Sequence, residues 1–264
     1  MLSSVLLLAL ALALALAPSE AERPRSLKVM AFNVLFRGAD DVRSLAAIEA
    51  EAPDVLCLTE VTPTFVAAFE RTLGAAYPYR RFAPQKGTWG VAVASKLPIV
   101  DAVVTPVLPA RIPAMEARLT LGGQSLTIAC VHLVPPLGKH RQEDGLGATV
   151  AKNAEVRVKQ AAWLVARYAA RRGPLLVVGD FNETPGGKAM HVFTSAGFAD
   201  ACDAPTSRCG ATFPGPALPL PAAFRIDHVL GRGVCFMRGA VVLKGGSDHY
   251  PVVGEGTPGP CAGT

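Results

Sequence analysis

Six short apolar runs in this chain each finish or begin on side chains that dislike burial. "LKVMAFN" ends on Asn33, "DVLCLTE" on Glu60, "LTIACVH" on His132 and "PLLVVGDFN" on Asp180 and Asn182. Asp227 stands at the head of "DHVLG", and Asp248 with His249 precedes "YPVVGE". Apolar runs without polar alternation are strands covered on both faces. Two sheets packed face to face with helices outside satisfy that demand. The i, i+2 spacing of Asp180 and Asn182 puts both on one face of a strand end.

The rest of the chain supplies the covering layers. "DVRSLAAIEAEAP" has helical spacing and stops at Pro53; "TPTFVAAFERTLG" places Phe65, Phe69 and Leu73 on one helix face before Gly74. "WGVAVASKLPIVDAVV" reads as one or two strands, and "ARLTLGGQSLTIACVHL" as a hairpin turning at Gly122–Gly123. A polar loop is expected over 135–153. A helix is expected over 154–172, with Val158, Ala161, Val165 and Tyr168 on its buried side and Arg157, Lys159 and Arg171 elsewhere. The count is about ten strands and three or four helices, an α/β chain.

The first 17 residues are almost purely Leu, Ala, Val and Ser. That run is shorter than the roughly 20 residues of a spanning helix. It predicts a secretory signal peptide, residues 1–21, with Ser19 and Ala21 at the cleavage positions. Residues 22–264 are expected to form one domain, secreted or periplasmic and monomeric. Cleavage removes one of the 21 acids, Glu20, and leaves 26 basic against 20 acidic side chains, a formal +6. That balance suits a polyanionic partner. An exported chain can oxidise its six cysteines. Cys57 and Cys130, inside apolar runs, are expected as buried free thiols. Cys202 and Cys209 flank a polar loop and are disulfide candidates, which leaves Cys235 and Cys261 to pair by elimination. No Cys/His spacing supports zinc.

A single terminal Asp is ordinarily a cap, and a single His a satisfied rim residue. Polar residues at the ends of six buried strands are hard to attribute to turns. Strand ends at one rim of a sandwich converge, and convergent carboxylates without cysteine are hard-cation chemistry: Mg²⁺, Mn²⁺ or Ca²⁺.

"FNVL", "LTEV", "VHL", "GDFNETP", "RIDHVL" and "SDHYPV", in this order, resemble the endonuclease/exonuclease/phosphatase superfamily from about residue 27 to 255. The resemblance implies a four-layer α/β/β/α sandwich of DNase I type and metal-dependent phosphoester hydrolysis. By this resemblance Glu60 is the principal Mg²⁺ carboxylate, with Asn33 and Asp248 nearby. His249 is similar to the family's catalytic His and Asp227 to its orienting carboxylate. Asp180 would position or activate water, Asn182 would bond the phosphate, and His132 would donate to a non-bridging oxygen. Glu116 is a candidate partner for His132. His228 should point away from the site by strand alternation.

The same resemblance leaves the substrate open between nucleic acid and a phospholipid such as sphingomyelin. Basic residues expected in rim loops, Arg80, Arg81, Lys86, Lys139 and Arg141, favour nucleic acid. The chain shows no Trp/Phe-rich hairpin for entering a membrane, and its two tryptophans are Trp89 and Trp163. The motif that distinguishes the inositol-phosphatase branch is not matched at "GDFN". A non-catalytic binding role is disfavoured because Glu60 and His249 are both present.

Overall fold

A computed structural model describes residues 26–37, 40–137 and 145–261. The expected leader, and Lys139, His140 and Arg141 of the expected rim loop, lie outside the described residues.

Among the described residues twelve strands form two mixed sheets of six. In the first sheet β1 (Leu27–Asn33) lies at the centre, parallel to β2 (Val55–Thr59). It carries β4 (Val91–Ser95) and β3 (Tyr79–Ala83) on one side, and β12 (Val252–Pro258) and β11 (Val234–Val241) on the other. The second sheet runs β5 (Ile99–Val107), β6 (Ile112–Leu121), β7 (Gln124–His132), β8 (Leu175–Asp180), β10 (Asp227–Arg232) and β9 (Ala199–Asp200). The stretch read as one or two strands is two, and the Gly122–Gly123 hairpin forms as expected, with Leu121 opposite Gln124.

Period-2 alternation divides each buried strand between two cores. Val29, Ala31, Val55 and Cys57 face Ile128, Cys130, Val178 and Val229 across the inter-sheet core. Met30, Phe32, Leu56 and Leu58 point outward to Leu45 and Ile48 of α1 (Asp41–Glu51) and to Phe65 and Phe69 of α2 (Pro63–Thr72). Behind the second sheet, Ala129, Val131 and Val177 meet Ala161 and Leu164 of α3 (Leu146–Arg167) and Phe193 of α4 (Lys188–Ser195). The first two helices start at their side-chain caps. Asp40 accepts the Arg43 amide, and Thr62 accepts the Phe65 amide with Pro63 in the first turn. Among the described residues no helix is long and apolar enough to cross a membrane.

Four expectations are corrected. Cys57 and Cys130 are not free thiols; they form a disulfide that staples the two sheets through the middle of their shared core. Each sits on a buried strand, and only the stacking of the sheets makes them neighbours. Cys202–Cys209 and Cys235–Cys261 are also joined. The helix expected over 154–172 begins eight residues earlier, at Leu146, so the loop before it is shorter than read. Arg157 does not point to solvent: it is 5% exposed. Arg80 and Arg81 lie in edge strand β3, not in a loop, and the Arg80 guanidinium is paired with Glu70.

Candidate active site

Strand register assembles the polar ends. His132 of β7 stands opposite Asp180 of β8, and Asp180 stands opposite Asp227 of β10. Three adjacent strands of one sheet therefore end on neighbouring functional side chains. In the other sheet Asn33 of β1 pairs with Thr59 of β2, which puts Glu60 one residue beyond. Gly179 permits the approach of β8 to β7: it has φ +139°, and a Cβ there would lie 2.0 Å from the Val131 carbonyl oxygen.

Asp180 is the hub. Its Oδ2 accepts the Asn33 amide at 3.0 Å and lies 3.4 Å from His132 Nε2 and 3.8 Å from His249 Nε2. Its Oδ1 accepts the Asn182 backbone N–H at 2.8 Å. Asn182 Nδ2 donates to the Leu133 carbonyl at 3.1 Å, and His132 packs beside the Trp89 ring. Glu60 and Asn182 both hold positive φ, 61° and 50°. Left-handed backbone at non-glycine residues costs of order 1–3 kcal/mol and concentrates at functional sites.

His249 enters from the β11–β12 connection of the first sheet. Its Nδ1 meets Asp227 Oδ2 at 2.8 Å, and its backbone N–H donates to Ser247 Oγ at 3.1 Å. Ser247 in turn donates to the Asn33 carbonyl at 2.6 Å, tying this loop to the end of β1. Burial opposes a charged imidazole, but Asp227, Asp180 and Asp248 outweigh it and hold the His249 pKa well above the ordinary imidazole value.

Asn33 Nδ2 bridges two carboxylates, donating to Glu60 Oε1 at 3.2 Å as well as to Asp180. Glu60 Oε2 accepts the Phe36 amide at 3.1 Å. Burial raises the Glu60 pKa despite relief from His132, Phe36 and Asn33, and the Asp180 charge adds to the rise. Glu60, a buried carboxylate beside the Asn33 side chain, offers oxygen donors of the kind that fit a hard divalent cation. Asp248 is half-buried and touches Ser247 at 3.4 Å. Asp180, Asp227 and His249 also bring ligand atoms within 4.8 Å of one another. There, however, Asp227 and His249 engage each other, an acid–base arrangement.

Above these groups opens a cleft of about 510 Å³. Asn153, Arg157 and Gln160, on one face of α3, hold its wall. Asn153 donates to the Pro136 carbonyl (3.0 Å), Arg157 to the Val134 carbonyl (3.2 Å), and Gln160 accepts the Val134 amide (3.0 Å). Arg157 also pairs with Glu183 at 2.5 Å. The sequence reading missed these three; the signal was their i, i+4, i+7 spacing, a stripe continuous with the apolar face.

Glu116 does not partner His132. It stands opposite Ala129, and its carboxylate takes Arg167 (3.0 Å), Tyr168 (3.2 Å) and Arg171, while His132 Nδ1 is buried with no hydrogen-bond partner among the described residues. Glu116 is thereby a clamp on the end of α3. His228 faces away from the site, with Nδ1 2.7 Å from Asp200 and Nε2 3.0 Å from the Glu183 carbonyl.

The sequence matches the Endonuclease/Exonuclease/phosphatase family over residues 30–249, from within β1 to His249. The chain belongs to that family. Its members are hydrolytic phosphoesterases, typically divalent-metal dependent. An endonuclease/exonuclease/phosphatase from Bacteroides vulgatus superposes with a TM-score of 0.69 at 16% identity, covering 89% of this chain and 99% of the other. D. rerio TDP2 complexed with single strand DNA product gives 0.66 at 16% identity, covering 88% and 99%. Sphingomyelinase C from Streptomyces griseocarneus gives 0.63 at 20% identity, covering 88% and 99%. At such identities the likeness is one of fold, the DNase I-like sandwich. No curated protein sequence matches.

Proposed function

We propose that this protein is an exported, divalent-cation-dependent phosphodiesterase that cleaves P–O bonds by in-line attack of water. The observation that carries the reading is the Asp227–His249 pair set against Asp180 in the cleft floor. Asp180 orients the attacking water and receives its proton as the new P–O bond forms; the ester P–O bond in line with it breaks, and the leaving oxygen takes up a proton from solvent water. Asp227 fixes Nδ1 of His249, and the charged ring offers Nε2 to the phosphoryl group. His132 donates to a non-bridging oxygen, and Asn182 has a second amide hydrogen for the phosphate. Glu60 and Asp248, with Asn33 turned to present its amide oxygen, are the residues to hold Mg²⁺, or Mn²⁺ or Ca²⁺ in its place; such a cation supplies Lewis-acid neutralisation of the phosphate. Three disulfides support export to an oxidising compartment.

For the substrate, nucleic acid comes first, on the +6 charge of the mature chain. A phospholipid is the second reading, favoured by the apolar side chains that line the cleft: Pro135, Pro136, Leu137, Phe213, Phe224 and Ile226. The experiment is turnover of single-stranded oligonucleotide, plasmid DNA, sphingomyelin and bis(p-nitrophenyl) phosphate, each with Mg²⁺ and with EDTA. Loss of turnover in EDTA is expected. Full activity in EDTA, or turnover of none of the four with Mg²⁺, rejects the proposal.

A further inference from the structure

Asp227 and His228 are neighbours on β10 and point to opposite faces of its sheet. Asp227 reaches the site and fixes His249. His228 is fully buried on the other face, so it cannot touch substrate. Its Nε2 lies 3.0 Å from the Glu183 carbonyl and its Nδ1 2.7 Å from Asp200 Oδ2. A carbonyl only accepts, so the bond to Glu183 forms only where Nε2 carries a hydrogen. Burial opposes the charge of Asp200, but His228, Arg225 and the Cys202 amide prevail and lower its pKa, so it accepts as well. Both ring nitrogens of His228 therefore donate. The Phe181 ring meets the imidazole edge-on, with centroids 5.4 Å apart.

The bond to Glu183 matters because of the residue before it. Asn182, which offers an amide hydrogen to the phosphate, holds φ +50°. A non-glycine residue keeps such a backbone only where its surroundings over-determine it. The chain entering β10 grips both sides of Asn182. Before it, the Phe181 N–H donates to the Ile226 carbonyl at 2.9 Å. After it, the Glu183 carbonyl accepts from His228. The Glu183 carboxylate is tied to Arg157. One hydrogen of the Asn182 amide goes to the Leu133 carbonyl, which aims the other into the cleft. That aim holds only while the backbone of Asn182 stays in place. The Asp200–His228 pair thus braces from behind the site in which Asp227–His249 works.

Resting on the phosphodiesterase reading, we propose that His228, oriented by Asp200, is a positioning residue that aims the Asn182 side chain at the phosphate by clamping the Glu183 carbonyl. It acts through Asn182 and takes no part in proton transfer.

Amide side chains separate the two bonds of the ring. In His228→Gln the amide reaches the place of Nε2 and keeps a donor for Glu183; in His228→Asn it takes the place of Nδ1 and keeps a donor for Asp200. A merely structural role makes His228→Asn the milder change, because the buried Asp200 stays paired. A positioning role makes it the harsher one at the phosphate. Isothermal titration calorimetry of the full chain with inorganic phosphate and saturating Mg²⁺ reads the site without turnover, and kcat/KM on bis(p-nitrophenyl) phosphate reads it with turnover. His228→Asn should raise the phosphate Kd and lower kcat/KM by about tenfold each, within the roughly 10²-fold that a misplacement of about 1 Å can cost. His228→Gln should change neither by more than about threefold, although it should denature more easily with Asp200 deprived of the ring. In an Asn182→Ala background, His228→Asn should change neither by more than about twofold, since groups that act through one another are non-additive. A His228→Gln variant as impaired as His228→Asn, or equal losses with and without Asn182, overturns the proposal. Should His228→Asn not fold, the wild type still decides. Long-range proton–nitrogen NMR correlation should find hydrogen on both ring nitrogens of His228, and a bare Nε2 overturns the clamp. If the phosphate Kd values follow the expected pattern and nothing is hydrolysed, the phosphodiesterase reading fails and the positioning role stands. If bis(p-nitrophenyl) phosphate is hydrolysed without the pattern, the positioning role alone is lost. A wild type that binds no phosphate overturns it as well.

Discussion

Asn33 donates to Asp180 at 3.0 Å across 147 positions of sequence and across the seam between the two sheets. The candidate site is therefore a property of how the sheets are stacked. β1 and β2 bring Asn33 and Glu60, β7, β8 and β10 bring His132, Asp180 and Asp227, and the β11–β12 connection returns His249 to the first sheet's side. A small slide of one sheet over the other would separate the carboxylates from the acid–base pair.

His249 and Asp227 should act as one unit. His249→Ala should lower kcat roughly 10²–10⁴-fold, the range of a positioned acid–base group. Asp227→Asn should also lower kcat, because the Nδ1 contact at 2.8 Å fixes the ring. The double substitution should be no more than about threefold worse than His249→Ala alone, since groups working together are non-additive. Steady-state kinetics on all three, with circular dichroism to verify folding, decides it; multiplicative losses would show independent roles.

Cation binding should be visible as stability. Mg²⁺ at about 100 times its Kd should stabilise the protein by roughly 2.7 kcal/mol. Glu60→Gln should abolish that gain. Burial already raises the Glu60 pKa, so its charge is disfavoured in the metal-free fold. Metal-free Glu60→Gln should accordingly melt no lower than metal-free wild type. Thermal denaturation with and without Mg²⁺ reads both effects, and an Mg²⁺ shift retained in the variant would remove Glu60 from the cation site.

The inter-sheet disulfide should be a large stability element. Cys57 and Cys130 are 73 residues apart. On the chain-entropy account, closing a loop of that length stabilises by about 4 kcal/mol. Denaturant titration of the Cys57→Ala, Cys130→Ala double variant should show a loss of that order. Peptide mapping without reduction should find neither cysteine alkylated in protein from an oxidising compartment.

The Asp200–His228 pair behind the site gives a pH signature. Burial works against the Asp200 carboxylate, but His228, Arg225 and the Cys202 amide overcome it and lower its pKa. A depressed folded pKa adds stability that is present above the unfolded value, about 3.9, and is lost as pH falls through the folded one. Asp200→Asn should therefore cost about 3 kcal/mol at pH 7, the scale of breaking a buried pair. That difference from wild type should shrink as pH drops below about 4. A difference that is constant from pH 7 to 3 would show that the charge of Asp200 contributes nothing.

The amino-acid sequence by itself determined the local facts of this protein. Alternation within "LKVMAFN" and "LTIACVH" sends adjacent residues to different cores, so the two-sheet architecture with outer helices was legible. So was the placement of Asn33, Glu60, His132, Asp180 and Asp227 at or next to strand ends, because a strand ends where its apolar run ends; His249, read as opening the last strand, lies instead in the connection before β12. Tertiary structure decided everything that depends on which strands become neighbours. Glu116 reads as a strand acid near a catalytic His, yet its register opposite Ala129 delivers it to Arg167 and Arg171. Cys57 and Cys130 read as buried thiols until the sheets stack. Arg157 reads as a surface cation until the Val134 carbonyl and Glu183 close over it. The physical reason is the range of the forces involved. Side-chain direction follows from the geometry of a few bonded residues, whereas a partner tens of residues away is chosen by sheet order, register and packing together.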